Sequence, residues 1–125
     1  MRDQAGSADP ECPVLATARI VAGKWTLLLL RDLADGARRF SELERSLAGI
    51  SPRTLSLRLR ALEEEGILDR QAHGEVPPRV DYRLTRKGED LLPLIQAMRE
   101  YGARWLGTDC EEDRQPAALR AAGGD

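Results

Sequence analysis

Gly49–Leu68 reads GISPRTLSLRLRALEEEGIL. Ser51 followed by Pro52 is a helix start. Serine's side-chain oxygen accepts from an early backbone N–H, and proline at the first position lacks an N–H that would have no partner there. Leu55, Leu59 and Leu62 recur at i, i+4 and i+7, one stripe of a helix. Gly66 ends it. The opposite face carries Arg53, Leu57 and Arg60, with Ser56 on its flank. This helix has a complete core stripe and yet sets a leucine among arginines on its solvent side.

Upstream, Ser41 reads as the cap of a shorter helix, ELERSLAG, with Glu44 three residues on completing a capping-box pattern. Leu43 and Leu47 face inward. ARRF before it is a short extended link. KWTLLLLRDLADG (Lys24–Gly36) is apolar nearly all round, the pattern of a buried helix. Before that, Pro13 opens a first helix with Val14–Gly23 as its body.

Downstream, ILDRQAH and RVDYRLT read as two strands. In the second, Val80, Tyr82 and Leu84 alternate with Arg79, Asp81 and Arg83, the period of a half-buried strand. GEVPP between them is a hairpin loop stiffened by its prolines. Thr85 caps a long last helix, RKGEDLLPLIQAMREYGARWLG, in which Pro93 predicts a kink. Leu91, Leu94, Ile95, Met98, Tyr101, Trp105 and Leu106 cover a wider arc than packing on one small domain requires.

Two short helices joined by AGI, followed by a stiff hairpin, make a winged helix-turn-helix. The expected fold class is mainly α (α+β), a winged helix-turn-helix with a C-terminal dimerisation helix. The expected organisation is a flexible tail over 1–10, one domain over 11–107 and a flexible tail over 108–125.

With 125 residues, 42% of them hydrophobic and 32% charged, the chain has the composition of one globular domain. Its richest apolar run, Trp25–Leu30, is far too short for a membrane span, and the N-terminal residues lack a signal-peptide apolar stretch. No membrane association and a cytoplasmic location are expected. The net charge of −2 hides an asymmetry: residues 36–87 carry 11 basic and 8 acidic side chains, a net of +3, and residues 88–125 carry 4 and 8, a net of −4. Only Lys24 and Lys87 are lysines, so the positive charge is nearly all arginine, whose planar fork suits phosphates and guanine edges.

Two cysteines without a CxxC, and His73 as the only histidine, argue against zinc and against multi-histidine catalysis. No cofactor, no metal and no enzymatic activity are expected. An enzyme built on Cys12 would need a nearby base, and His73 lies on the hairpin, far from it. His73 itself reads as a strand-end surface residue rather than a pH switch. Trp25 and Trp105 read as packing residues. Cys12 precedes Pro13 at a helix start, a place where a thiol is activated, and is a candidate redox switch. The alternative is an inert, small apolar residue. Were the last helix to dock on the first helix of a second subunit, Cys12 would come near the partner subunit's Cys110.

In a helix-turn-helix, the second helix enters the major groove and its N-terminal half meets base edges. Arginine pairs bidentately with guanine, serine reaches a base edge or a phosphate, and leucine rests on a thymine methyl. Arg53, Ser56, Leu57 and Arg60 are therefore the candidate base-reading residues. Arg38, Arg39 and Arg79, the last of them at the wing tip, are the candidate backbone clamps. Ordinary solvated charge is the alternative reading of each arginine, and Arg60 has Glu63 and Glu64 within reach on its own helix.

The residues from Cys12 to Trp105 resemble the HxlR-type winged-helix transcriptional regulators, relatives of the MarR group. The resemblance rests on CP at Cys12, GKW at Gly23–Trp25, RRFSEL at Arg38–Leu43, ISPRTLSLRLRALEEEGIL and PPRVDYRLTRKG at Pro77–Gly88. It implies a homodimer built from the first and last helices that binds inverted repeats in double-stranded DNA. It also implies a recognition helix over Ser51–Glu65 and a wing around Gly74–Pro78. Some members sense oxidants or electrophiles through the cysteine at the position of Cys12. Leu57 departs from the polar residue frequent in the family; the two readings of that departure are an altered sequence preference and no functional change. The expected function is a sequence-specific, dimeric DNA-binding transcriptional regulator on a roughly palindromic operator, responsive to an oxidant or effector whose identity the residues do not specify. The alternative is a winged-helix protein-interaction module without DNA binding.

Overall fold

The structure, a computed structural model, describes residues 11–108. In chain order it contains α1 (Pro13–Val21), α2 (Lys24–Leu33), β1 (Arg38–Arg39), α3 (Phe40–Ser46), α4 (Pro52–Glu64), β2 (Leu68–His73), β3 (Arg79–Leu84), α5 (Arg86–Glu89) and α6 (Leu92–Trp105). The two expected tails, 1–10 and 108–125, lie outside the described residues apart from Thr108, and so does Cys110.

The ends of α4 are set by the chemistry its sequence advertises. Ser51 Oγ accepts from Thr54 N at 3.0 Å, with Pro52 in the first turn. At the other end Gly66 adopts φ +81°, Ile67 N donates to Leu62 O at 2.9 Å, and Gly66 N donates to Glu63 O at 3.0 Å. That pair of bonds is the Schellman stop, which needs a left-handed residue and therefore favours glycine.

Between those ends Leu55, Leu59 and Leu62 are buried, as their spacing predicts. They meet Leu29, Leu30 and Leu33 of α2, Leu43 and Leu47 around α3, Ile67 and Leu68 at the start of β2, and Ile95 of α6 in one cluster. Each fully buried leucine contributes about 1.5–3 kcal/mol. Trp25 packs half-buried against this cluster. Helix α1 buries none of its residues fully and meets α2 across an 83° bend at Ala22–Gly23, where Gly23 has φ +88°.

The sheet is antiparallel, in the order β1-β3-β2. β3 is central, with Arg39 opposite Asp81 on one side and His73 opposite Arg79 on the other. Helices α3 and α4 with the β2–β3 hairpin form a winged helix-turn-helix, mainly helical with a small three-stranded sheet, in agreement with the expected fold class.

Three sequence expectations need correction. First, Ser41 does not cap α3. The helix begins at Phe40, and Arg39 N donates to Glu42 Oε1 at 2.8 Å, so Arg39 is the cap and Glu42 the acid of the box. Pairing of β1 with β3 ends the extended chain at Arg39, two residues earlier than the local Ser41–Glu44 pattern suggests.

Second, the last helix is interrupted rather than kinked. Helix α5 stops at Glu89 and α6 restarts at Leu92, with Pro93 in its first turn. Proline cannot donate to Glu89, and its ring opposes that carbonyl, so the chain gives up the helix over Asp90–Leu91.

Third, the alternation in β3 is incomplete. Val80, Tyr82 and Leu84 are half-buried as expected and Arg83 is exposed, but Arg79 and Asp81 are also half-buried. They take part in an ion cluster described below.

Candidate nucleic-acid interface

Helix α4 shows solvent the face that its wheel predicts. Arg53, Ser56, Leu57 and Arg60 are all exposed, and Leu57 keeps 54% of its surface open. Among the described residues neither Arg53 nor Arg60 is ion-paired, and the bridge from Arg60 to Glu63 or Glu64 does not form. Two unpaired guanidinium groups therefore flank an open apolar side chain in the first two-thirds of the helix. Glu63, Glu64 and Glu65 occupy its last turn and cap.

The flanking arginines differ from one another. Arg38 is half-buried on β1 opposite Tyr82, and its Nη1 donates to Ala37 O at 3.2 Å. Arg39 is exposed opposite Asp81, with its backbone N–H engaged in capping α3.

Arg79 is not an open residue at the wing tip. It is the first residue of β3, half-buried, with Nη2 3.4 Å from Glu75 Oε2 and Nε 3.7 Å from Asp81 Oδ1. The other oxygen of Asp81 lies 2.9 Å from His73 Nε2. An ionised carboxylate only accepts, so Nε2 carries the hydrogen. Glu75, Arg79, Asp81 and His73 thus form one chain of contacts along the wing, with two acids on one arginine. The signal for this cluster was in the register: His73 faces Arg79, and Asp81 is the diagonal neighbour on the same face. The wing tip itself offers Val76, almost fully exposed.

Sequence reasoning also passed over Arg58. It sits on the edge of α4 and reaches back toward the α1–α2 turn, where its Nη2 is 3.9 Å from where a β-carbon on Gly23 would sit. Lys24 stands at the same turn, with Nζ 4.6 Å from the Trp25 ring centroid. No grouping of three or more His, Cys, Asp or Glu side chains that could hold a metal occurs among the described residues.

Away from this face, α6 presents Leu94, Met98, Tyr101 and Trp105 at i, i+4, i+7 and i+11, all exposed, with Leu106 beyond them. Helix α1 adds exposed Val14 and Leu15. Of the wide apolar arc predicted for the last helix, only Ile95 is buried in the core and Leu91 half-buried. Cys12 is exposed at the start of α1, as a free thiol. No single helix among the described residues is long and apolar enough to cross a membrane.

A family model described as HxlR-like helix-turn-helix matches residues 20–110. The uncharacterised HTH-type transcriptional regulator sll1512 of Synechocystis is 43% identical over 101 residues, covering 80% of this chain and 75% of that protein. The uncharacterised HTH-type transcriptional regulator YdeP of Bacillus subtilis is 42% identical over 94 residues, covering 75% and 73%. Among solved structures, the redox regulator HypR in its reduced form matches with a TM-score of 0.72 at 40% identity, covering 74% of this chain and 92% of that one.

Proposed function

The chain belongs to the HxlR-like helix-turn-helix family of transcriptional regulators, and from that premise we propose that it acts as a homodimer binding a roughly palindromic operator in double-stranded DNA. Helix α4 of each subunit enters one of two successive major grooves, about 34–36 Å apart. Arg53, Ser56, Leu57 and Arg60 read base edges. Arg38, Arg39 and Arg79 hold the backbone. Residues 11–107 form the working domain, and its place of action is the cytoplasm.

The observation that carries this reading is the outer face of α4: Arg53 and Arg60, unpaired among the described residues, on either side of exposed Leu57, directly after α3. A helix whose only task was to pack would gain nothing from that arrangement. The exposed stripe of α6, with Val14 and Leu15 of α1, supports pairing of two subunits through their first and last helices, because an apolar stripe this long gains by leaving water.

Cys12 is the proposed redox switch. Its thiol is open to solvent, and a hydroperoxide would convert it to a sulfenic acid, the peroxide being reduced to the alcohol or water. The structural similarity to HypR supports this assignment.

The test is selection of bound duplexes from a random pool, followed by gel-shift titration at two salt concentrations, with and without oxidant. A palindromic consensus bound with strong salt dependence is expected. A protein-interaction module using exposed Leu57 as its contact would instead show no salt-sensitive DNA affinity, and that result would remove the reading.

A further inference from the structure

We infer that Thr85 and Lys87 are positioning residues that fix the tilt of α4 against the dimerisation arm and so determine which half-site spacing the protein accepts; this rests on the DNA-binding reading above. The last carbonyls of a helix have no partner within it. Here the carbonyls at and just after the end of α4 are taken up by one short stretch of the chain. Lys87 Nζ donates to Glu65 O at 2.8 Å. Thr85 Oγ1 donates to Gly66 O at 2.6 Å, and Thr85 N donates to Ile67 O at 3.0 Å. The same hydroxyl accepts from Gly88 N at 3.1 Å and so caps α5. Gly88 lies against the Ile67 carbonyl so closely that a β-carbon would overlap it. The end of α4 is therefore tied, backbone to backbone and side chain to backbone, to the segment that leads through α5 into α6.

The lever is long enough to matter. Thirteen residues of α-helix span about 20 Å at 1.5 Å per residue. A tilt of about 10° about the Gly66 end displaces the Ser51 end, next to Arg53, by about 3.5 Å, roughly one base-pair step. In a dimer joined through α6, the separation of the two α4 helices is thus only as well defined as this junction. Burial of Leu55, Leu59 and Leu62 holds the helix down against the core, and the bonds from Thr85 and Lys87 hold its pivot.

The experiment measures binding of full-length protein to a series of duplexes carrying the selected half-sites with the spacer shortened or lengthened by one and two base pairs. Lys87→Met removes the donor from an exposed position without touching the core. Thr85→Val removes the hydroxyl at constant shape. Lys87→Arg restores a donor. Wild type is expected to favour one spacing sharply. Lys87→Met is expected to bind that spacing nearly as well and to lose roughly three- to tenfold of its discrimination against the neighbouring ones, the scale of one ordinary hydrogen bond. Thr85→Val should relax the profile in the same direction, and Lys87→Arg should restore it.

Circular dichroism and sedimentation confirm that fold and dimer persist in each variant. A spacing profile in both Lys87→Met and Thr85→Val identical to wild type overturns the inference. So does an equal loss at every spacing with fold and dimer intact, and so does a wild type indifferent to spacing. Wild type that binds no duplex at low salt would instead remove the DNA-binding reading, and this inference with it.

Discussion

His73 Nε2 donates to Asp81 Oδ2 at 2.9 Å, while the other oxygen of that carboxylate lies 3.7 Å from Arg79 Nε. Asp81 thus divides its charge between a histidine across the hairpin and the arginine proposed to grip a phosphate. With Glu75 on the far side of Arg79, the wing's cation is held by acids of its own chain.

Asp81→Asn should therefore tighten binding. It removes a negative charge beside Arg79 and loosens that arginine from its cluster. The expected gain is roughly up to fivefold for any duplex at low salt, the scale of a partly exposed ion pair, shrinking as salt rises. Gel shifts at two ionic strengths measure it. Unchanged or weaker binding would show that the cluster does not withhold Arg79.

Arg53→Ala and Arg79→Ala should separate base reading from backbone contact. Arg53→Ala is expected to weaken binding to the selected operator by about 1–3 kcal/mol and to relax sequence choice at one position. Arg79→Ala should weaken all sequences about equally and make the salt slope shallower. Titration of specific and random duplexes across salt decides between the two patterns.

Met98→Glu should split the proposed dimer. Met98 lies in the middle of the exposed stripe between Leu94 and Tyr101. A carboxylate there would have to be buried unpaired at the interface, weakening self-association by at least about 2 kcal/mol, roughly thirtyfold. Sedimentation at several protein concentrations reads the shift, and circular dichroism should show α6 still helical.

Gly88→Ala should destabilise the fold where Gly74→Ala does not. A β-carbon on Gly88 would meet the Ile67 carbonyl, whereas nothing lies within 4 Å of one on Gly74. The expected loss for Gly88→Ala is at or beyond the upper end of the usual cost of overpacking, about 1–3 kcal/mol. Gly74→Ala should stay within about 0.5 kcal/mol of wild type. Urea denaturation of both variants measures the difference.

The parts of the fold legible in the sequence are those fixed by local chemistry. Ser51, Pro52, three leucines and Gly66 delimit α4 because capping, stripe and stop all act within a few residues of one another. The hairpin strands followed from composition and period in the same way. What the sequence left open was decided at a distance. Two overlapping capping patterns, Arg39–Glu42 and Ser41–Glu44, compete for the start of α3, and the pairing of Arg39 with Asp81 selects the first. Pro93 announces a disturbance, but whether the chain bends or breaks depends on how α5 and α6 are each held, α5 by the Ile67 carbonyl and α6 by Ile95 in the core. Arg79 looked like a free cation because Glu75 reaches it only through the fold of the wing loop, and because Asp81, its same-face neighbour on β3, reads in the sequence as an ordinary exposed strand residue. The outer face of α4 was readable since it follows from the wheel, whereas the ties from Thr85 and Lys87 join residues about twenty positions apart.

The three glutamates that finish α4 give the proposed complex a direction. If the helix slid along its axis by one turn toward Ser51, Glu63 and Glu64 would arrive where Arg60 had stood, while Arg53 would leave its reach. A duplex approaching from the wrong end, or out of step by a turn, is repelled before any hydrogen bond to a base can form. Attraction at one end and rejection at the other would let a short helix find its orientation from charge alone.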